Sequence, residues 1–99
     1  MQNTYAIHMY IQHREMENNK KHYCYMLRCN DGSLYTGYTT DLDRRVWEHN
    51  NSDKRAKYTK AKRPCRLVYF EEFDNKSAAM KREAQLKKMA KAEKEKLVD

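Results

Sequence analysis

Five polar side chains stand out because their chemical types could take part in a reaction: Tyr25, Tyr35, Arg45, His49 and Glu83. An arginine can bridge phosphate oxygens and stay charged throughout a reaction. A histidine or a tyrosine can orient or deprotonate a water, although a tyrosine needs a nearby cation because its ordinary pKa is about 10. Taken singly, each residue is more often structural, as a hairpin aromatic or as a cation at a helix C-terminus.

Two predicted strands and the turn between them must position the tyrosines. Residues Tyr23–Cys29 and Leu34–Thr39 are rich in aromatic and apolar residues, which predicts strands and, for the first, a buried one. The intervening turn suits a hairpin with a two-residue or a three-residue loop. A two-residue loop would place Tyr25 and Tyr35 on opposite faces of the sheet. A three-residue loop, with Gly32 in a left-handed conformation, would place them on one face, and the sequence leaves both forms open.

A helix is predicted directly after the second strand, over residues 41–50, with Thr40 as its N-cap. Arg45 and His49 are four positions apart and therefore share one face of this helix, beside its apolar stripe. Gly37, in the strand before it, indicates a place where another part of the chain or a ligand approaches the backbone closely. The helix is therefore expected to line a groove with Arg45 and His49.

The second half of the chain predicts a third strand and a second helix. Arg66–Phe73 is an apolar run with little alternation, which is typical of a strand buried on both faces. A helix follows from about Lys76 to Met89. Glu83 falls in line with Ala79 and Leu86 on that helix, so one carboxylate interrupts an apolar stripe. A buried carboxylate needs a partner, which here is either a cationic side chain or a metal ion.

The charge of the chain favours a polyanion as its partner. The 99 residues include 21 Lys and Arg against 14 Asp and Glu, for a formal net charge of +7. Basic residues crowd the loop before the third strand together with one aromatic, which suits phosphate contact and base stacking. The alternative is a solvated basic loop. The candidate nucleic-acid-binding residues are Lys54, Arg55, Lys57, Tyr58, Lys60, Lys62 and Arg63.

Composition also limits the class of protein. Three cysteines with no CxxC pair argue against a disulfide framework and against a zinc site. No apolar run approaches the length of a membrane span, and a cytoplasmic location is expected. The length predicts one domain, which we place at residues 23–99. The preceding residues 1–22 are expected to be a flexible extension, with residues 1–15 lying upstream of a second start at Met16.

The ordered set of these residues resembles the GIY-YIG nuclease superfamily, and most closely its small stand-alone bacterial (UPF0213-like) members. The resemblance extends from Tyr23 to Val98. It rests on the triplets Tyr23-Cys24-Tyr25 and Tyr35-Thr36-Gly37, on Arg45 with His49, and on Glu83 in a later helix. It implies an α+β fold, an α/β sandwich in which a three-stranded antiparallel sheet is flanked by helices.

The resemblance also implies roles for individual residues. Tyr25, Tyr35, Arg45 and His49 are then catalytic, Glu83 binds one Mg²⁺ or Mn²⁺, and Gly37 is structural, as Gly32 is in the turn. The sequence departs from the family's pattern at three places. Tyr23 replaces a glycine, Tyr38 stands where some relatives have a lysine, and a late asparagine has no match, Glu95 being nearest in spacing.

The function expected from this resemblance is metal-dependent hydrolysis of DNA phosphodiester bonds, in repair or recombination of damaged or branched DNA, by a monomer. One alternative is a nucleic-acid-binding module on the same scaffold without turnover. Another is a subunit whose specificity comes from a protein partner. The sequence does not decide whether His49 or a tyrosine is the general base, nor whether the nucleic acid is DNA or RNA.

Overall fold

The computed structural model describes residues 20–99. Its strands are β1 (His22–Arg28), β2 (Leu34–Thr39) and β3 (Arg66–Phe73), and its helices are α1 (Leu42–Asn51), α2 (Lys76–Lys88) and α3 (Lys91–Val98). The expected three-stranded antiparallel sheet flanked by helices is confirmed. In the described part of the chain, no helix is both long and apolar enough to cross a membrane. The expectations for residues 1–19, including a start at Met16, lie outside the described residues.

β1 is the central strand, because the strand order is β2-β1-β3. The four consecutive residues 24–27 of β1 are buried, since helices cover both of its faces. β3 is an edge strand whose residues are all half-buried or exposed, and Phe70 is 49% exposed. The prediction that β3 is buried on both faces is therefore wrong. The helices that cover both faces of β1 leave part of β3 exposed, at Phe70 above all.

The hairpin between β1 and β2 has a three-residue loop. The Cys29 N–H donates to the carbonyl oxygen of Ser33, and the Gly32 N–H donates to the carbonyl oxygen of Cys29, both at 2.9 Å. Gly32 has a φ of 86°, in the left-handed region that this loop requires and that glycine adopts without steric cost.

This loop decides which side chains share a face. It pairs Leu27 with Tyr35 and Tyr25 with Gly37. Because side chains alternate along a strand, Tyr25 and Tyr35 lie on the same face of the sheet. Of the two forms that the sequence left open, this is the one in which the tyrosines can act together.

α1 covers the face of the sheet that carries the tyrosines, where Leu42 and Val46 pack against the core cluster that includes Tyr25. The helix is capped by Asp41 rather than by Thr40, because an Asp41 carboxylate oxygen accepts a hydrogen bond from the Arg44 N–H at 3.1 Å. The predicted helix is confirmed, with its N-terminus shifted by one residue.

α2 packs across β1 and β2 on the other face of the sheet and buries Ala79 and Leu86 there. α2 ends at Lys88, and a separate short helix, α3, begins at Lys91. A bidentate ion pair between Arg28 and Glu95, with N–O distances of 2.5 and 2.6 Å, ties α3 to β1. The result is three layers, with helix, sheet and helix stacked.

Candidate active site

A buried chain of hydrogen bonds links Tyr25, His49 and Thr59. The Tyr25 hydroxyl oxygen lies 2.8 Å from Nε2 of His49, and Nδ1 of the same ring lies 2.7 Å from Oγ1 of Thr59. Tyr25 and His49 are each 1% exposed, and Thr59 is fully buried. Both ring nitrogens of His49 are therefore occupied within the fold, and in this arrangement a proton reaches the ring only through one of the two hydroxyls.

The environment of His49 favours one tautomer and the neutral form. The Thr59 hydroxyl donates to the carbonyl oxygen of His49 at 3.5 Å, which leaves a lone pair towards Nδ1. We infer that Nδ1 carries the ring hydrogen and that Nε2 accepts the hydrogen of Tyr25. Burial lowers the pKa of His49 to about 4, and the charge of Arg45 acts in the same direction. The ring is therefore uncharged at pH 7.

Tyr35 lies between this chain and a surface groove. The centre of its ring is 4.9 Å from that of His49 and 5.4 Å from that of Tyr58. The groove has a volume of about 270 Å³ and is lined by Tyr35, Arg45, His49 and the basic loop from Lys54 to Tyr58. The structure thus brings both tyrosines, the histidine and the arginine together beside the loop.

Arg45 is held at the groove by contacts on α1 and on the loop. Its Nη1 donates to Oε1 of Glu48 at 3.1 Å and to the backbone oxygen of Arg55 at 2.6 Å. These bonds restrict the guanidinium and leave most of its five N–H groups for other acceptors. A guanidinium held in this way is suited to binding an anion in one orientation.

Glu83 lies on α2 and does not line the groove that contains Tyr35, Arg45 and His49. Its side chain is only 13% exposed, and its Oε2 pairs with Nζ of Lys87 at 3.2 Å. Burial raises the pKa of Tyr25, the guanidinium of Arg45 lowers it, and the carboxylate of Glu83 raises it further. The charges of Arg45 and Glu83 therefore have opposite effects on the pKa of Tyr25.

Gly37 allows Tyr25 to occupy its position. A Cβ at residue 37 would lie 2.5 Å from the hydroxyl oxygen of Tyr25 and 2.6 Å from the ring carbon that bears it. Any other residue would displace the ring from the backbone of β2. The close approach that the sequence predicted at Gly37 is thus made by a side chain of the same domain.

The predicted nucleic-acid-binding residues fall into two groups. Four of them line the groove: Lys54, Arg55, Lys57 and Tyr58. Of the others, Lys60 pairs with Asp53 at 3.2 Å, and the Lys62 ammonium lies 4.3 Å from the centre of the Tyr58 ring. Arg63 donates to two backbone oxygens at the C-terminal end of α1, at 2.7 and 2.6 Å. Its side chain therefore fastens the loop to that helix.

Sequence reasoning missed Thr59 and Glu48. Glu48 carried a usable signal, since it lies three residues after Arg45 on the same helix and such a spacing favours an ion pair. Thr59 carried none, because it is one small polar residue in a basic loop and its partner is ten residues away in sequence.

Residues 21–96 match the family described as the GIY-YIG catalytic domain. The chain belongs to the GIY-YIG family. A UPF0213 protein of Staphylococcus saprophyticus is 53% identical over 78 residues, covering 79% of this chain and 94% of that protein. The solution NMR structure of a UPF0213 protein from Bacillus halodurans is 50% identical with a TM-score of 0.52, covering 79% of this chain and 82% of its own. An NMR structure of a protein from E. faecalis is 49% identical with a TM-score of 0.55, covering 78% and 81%.

The three departures from the GIY-YIG pattern have structural partners in this chain. The ring of Tyr23, in place of a glycine, meets the ring of Phe70 edge-on with centroids 5.9 Å apart. The Tyr38 hydroxyl lies 2.8 Å from Nδ1 of His22. Glu95, the residue nearest in spacing to the missing asparagine, fastens α3 to the sheet. Each of these three side chains therefore makes a contact within the fold.

Proposed function

We propose that the protein is a DNA endonuclease that hydrolyses phosphodiester bonds with the help of one divalent metal ion. The observation that carries this proposal is that, in a GIY-YIG domain, Tyr35, Arg45 and His49 line one groove beside the basic loop, with Tyr25 hydrogen-bonded to His49. The exposed cations of the groove supply affinity for the DNA backbone. Repair or recombination of branched DNA is the setting that we propose for the reaction.

Arg45 is the residue that we assign to the phosphate under attack. Its guanidinium is already held by Glu48 and by the backbone of Arg55. It therefore loses little orientational freedom when it meets the charge that develops on the phosphate oxygens. Tyr35, which lines the same groove, is assigned to orienting the attacking water.

Tyr25 and His49 form the proton path of the proposed reaction. The attacking water transfers a proton to the Tyr25 oxygen while Tyr25 passes its own hydrogen to Nε2 of His49. The imidazole ends as a cation, and no proton is lost. A phosphate in the groove raises the pKa of His49 from its low value, which makes this transfer less costly. Of the two candidate bases, His49 is then the final acceptor of the proton, and Tyr25 relays the proton to it.

Glu83 is the residue that would hold the metal. Within residues 20–99, no group of three or more His, Cys, Asp or Glu side chains could hold a metal ion. A cation here would therefore keep most of its waters, as Mg²⁺ does readily. Glu83 fits this requirement because its ion-pair partner, Lys87, is exposed and can be displaced at low cost. When bound, the cation would neutralise charge on the phosphate and on the leaving oxygen.

The proposal is tested by incubating nicked, flapped and branched DNA with the protein and Mg²⁺ or Mn²⁺. We expect Glu83→Gln to slow cleavage on the order of 100-fold or more, since it removes the carboxylate and keeps the shape of the side chain. Glu72→Gln, an exposed glutamate of β3, is the matched control and should cleave at the wild-type rate.

A second measurement separates metal binding from folding. Mg²⁺ should raise the melting temperature of the wild-type protein and of Glu72→Gln, but not that of Glu83→Gln, because only a bound ligand stabilises the folded state. Cleavage by Glu83→Gln at the wild-type rate, or no cleavage of any substrate by the wild-type protein, would contradict the proposal.

A further inference from the structure

A second groove lies on the other side of Arg45. It has a volume of about 470 Å³, larger than the groove that contains Tyr35 and His49. Its lining includes Arg44, Arg45, Arg55 and Glu48, together with the hydroxyl-bearing Tyr38. Arg44 lines this groove but not the groove of the candidate active site.

The three arginines of this groove share a single carboxylate. Glu48 lies 3.6 Å from Nε of Arg44, 3.1 Å from Nη1 of Arg45 and 3.9 Å from Nε of Arg55. The other acidic residue of the lining, Asp41, already accepts the hydrogen bond that caps α1. The three guanidinium groups therefore have more N–H donors than the carboxylates of Glu48 and Asp41 can accept.

Arg44 and Arg55 are the arginines that remain open to a ligand. Their side chains are 70% and 68% exposed, whereas that of Glu48 is 13% exposed. Both ion pairs with Glu48 are long and solvated, and such pairs contribute little to stability. Each guanidinium has five N–H donors, so each can bind a second anion without giving up a strong contact.

We propose that this second groove binds the DNA phosphate next to the one that is cleaved, through Arg44 and Arg55. This inference rests on the proposed function. It adds that the substrate must be longer than a single phosphodiester. The two grooves share Arg45 and Arg55, so a strand that places one phosphate at Arg45 continues into the second groove. The substrate is then a strand that extends beyond the cleaved bond on this side, and an isolated phosphodiester makes only half of the contacts.

The test is the salt dependence of DNA binding, measured without divalent metal so that no cleavage occurs. The slope of log affinity against log salt concentration reports how many phosphates the protein neutralises. We expect Arg44→Gln to make this slope shallower by about one unit. Lys88→Gln removes one charge from an exposed residue of α2 that lines neither groove, and it should keep the wild-type slope.

Two further probes sharpen the result. A dinucleotide with a single phosphodiester, titrated by NMR, should bind Arg44→Gln and the wild-type protein equally, because it has no second phosphate. Glu48→Gln removes the shared negative charge and should bind long DNA more tightly than the wild-type protein. If Glu48 only supported the fold, Glu48→Gln would instead weaken the binding of long DNA.

The outcomes separate this inference from the proposed function. A wild-type slope for folded Arg44→Gln, or an equal loss of affinity for the dinucleotide and for long DNA, would overturn the second phosphate site and leave the nuclease proposal intact. A wild-type protein that bound no DNA at any salt concentration would overturn both. Melting curves that match the wild-type protein establish that each variant is folded.

Discussion

At the scale of single residues, the buried chain of hydrogen bonds depends on the hydroxyls of Tyr25 and Thr59, which flank His49. A neutral imidazole has one donor and one acceptor nitrogen, and the partner of one nitrogen decides the role of the other. In the tautomer that we infer, Nδ1 donates to the Thr59 hydroxyl oxygen, so Nε2 is left to accept from Tyr25. A residue that never meets the substrate thereby determines which way the Tyr25 hydroxyl donates.

Replacing Thr59 tests this positioning role. Thr59→Val keeps the volume of the side chain but leaves Nδ1 of His49 without a partner, and it should destabilise the fold by about 1–3 kcal/mol. Thr59→Ser keeps the hydroxyl and should retain most of the stability. The ¹⁵N shifts of the His49 ring should report the Nδ1–H tautomer in the wild-type protein and in Thr59→Ser, with a mixture in Thr59→Val. An unchanged tautomer in Thr59→Val would refute the assignment.

At the scale of elements, the β1–β2 hairpin decides whether a site exists. Its three-residue loop places both tyrosines under α1, and Gly37 of β2 leaves room for the hydroxyl of Tyr25. α1 then supplies Arg45 and His49 from one face, and α2 brings Glu83 from the other side of the sheet. β2, α1 and the basic loop therefore line the groove, β1 adds Tyr25 through its hydrogen bond to His49, and Glu83 lies on a distant helix.

Two glycine substitutions in the hairpin should differ in their effect on the site. Gly37→Ala places a Cβ against the Tyr25 hydroxyl and should cost about 1–3 kcal/mol, because the ring must move. Gly32→Ala meets no atom within 4 Å, but its φ of 86° makes it cost about 1 kcal/mol.

Urea unfolding measures both of these costs, and the His49 ring shifts distinguish their origins. Only Gly37→Ala should disturb the hydrogen bond between Tyr25 and His49. Ring shifts that changed equally in Gly32→Ala would show that the contact at Gly37 is not specific.

At the scale of the whole molecule, two groups should weaken the fold at acid pH in separate ranges. His49 has a pKa of about 4 when folded, below the 6.5 expected when unfolded, so its contribution to stability is complete above pH 6.5 and is lost as the pH falls towards 4. The ion pair with Arg28, followed by the bond to Lys91, lowers the pKa of Glu95 to about 2. Its contribution is lost only below its ordinary pKa of 4.5.

The free energy of unfolding should therefore fall by about 3 kcal/mol between pH 7 and pH 4 through His49 alone. Urea titrations across this range measure the fall, and His49→Gln should remove most of the slope between pH 6.5 and 4. A wild-type protein equally stable at pH 7 and pH 4.5 would show that the ring is not held neutral by the fold.

The order of elements, the hairpin and the two helix faces followed from local patterns, because turn residues and apolar spacing act over a few positions. Arg45 with His49 on α1 and Glu83 in the stripe of α2 were predictable for that reason. The exposure of β3 was not, since an apolar run does not say how far the helices cover a strand. The cap at Asp41 was missed because several adjacent residues could cap the helix equally well.

What the sequence determined by itself was the kinds of group present and the face of the element on which each lies. The tertiary structure decided which groups meet. The turn sequence allowed a two-residue and a three-residue loop equally. The pairing of β1 with β2 under α1 selects the three-residue loop. The bond between Thr59 and His49, the ion pair of Arg28 with Glu95 and the arginine groove join residues far apart in the chain. Such contacts depend on how the layers pack, and no local pattern records them.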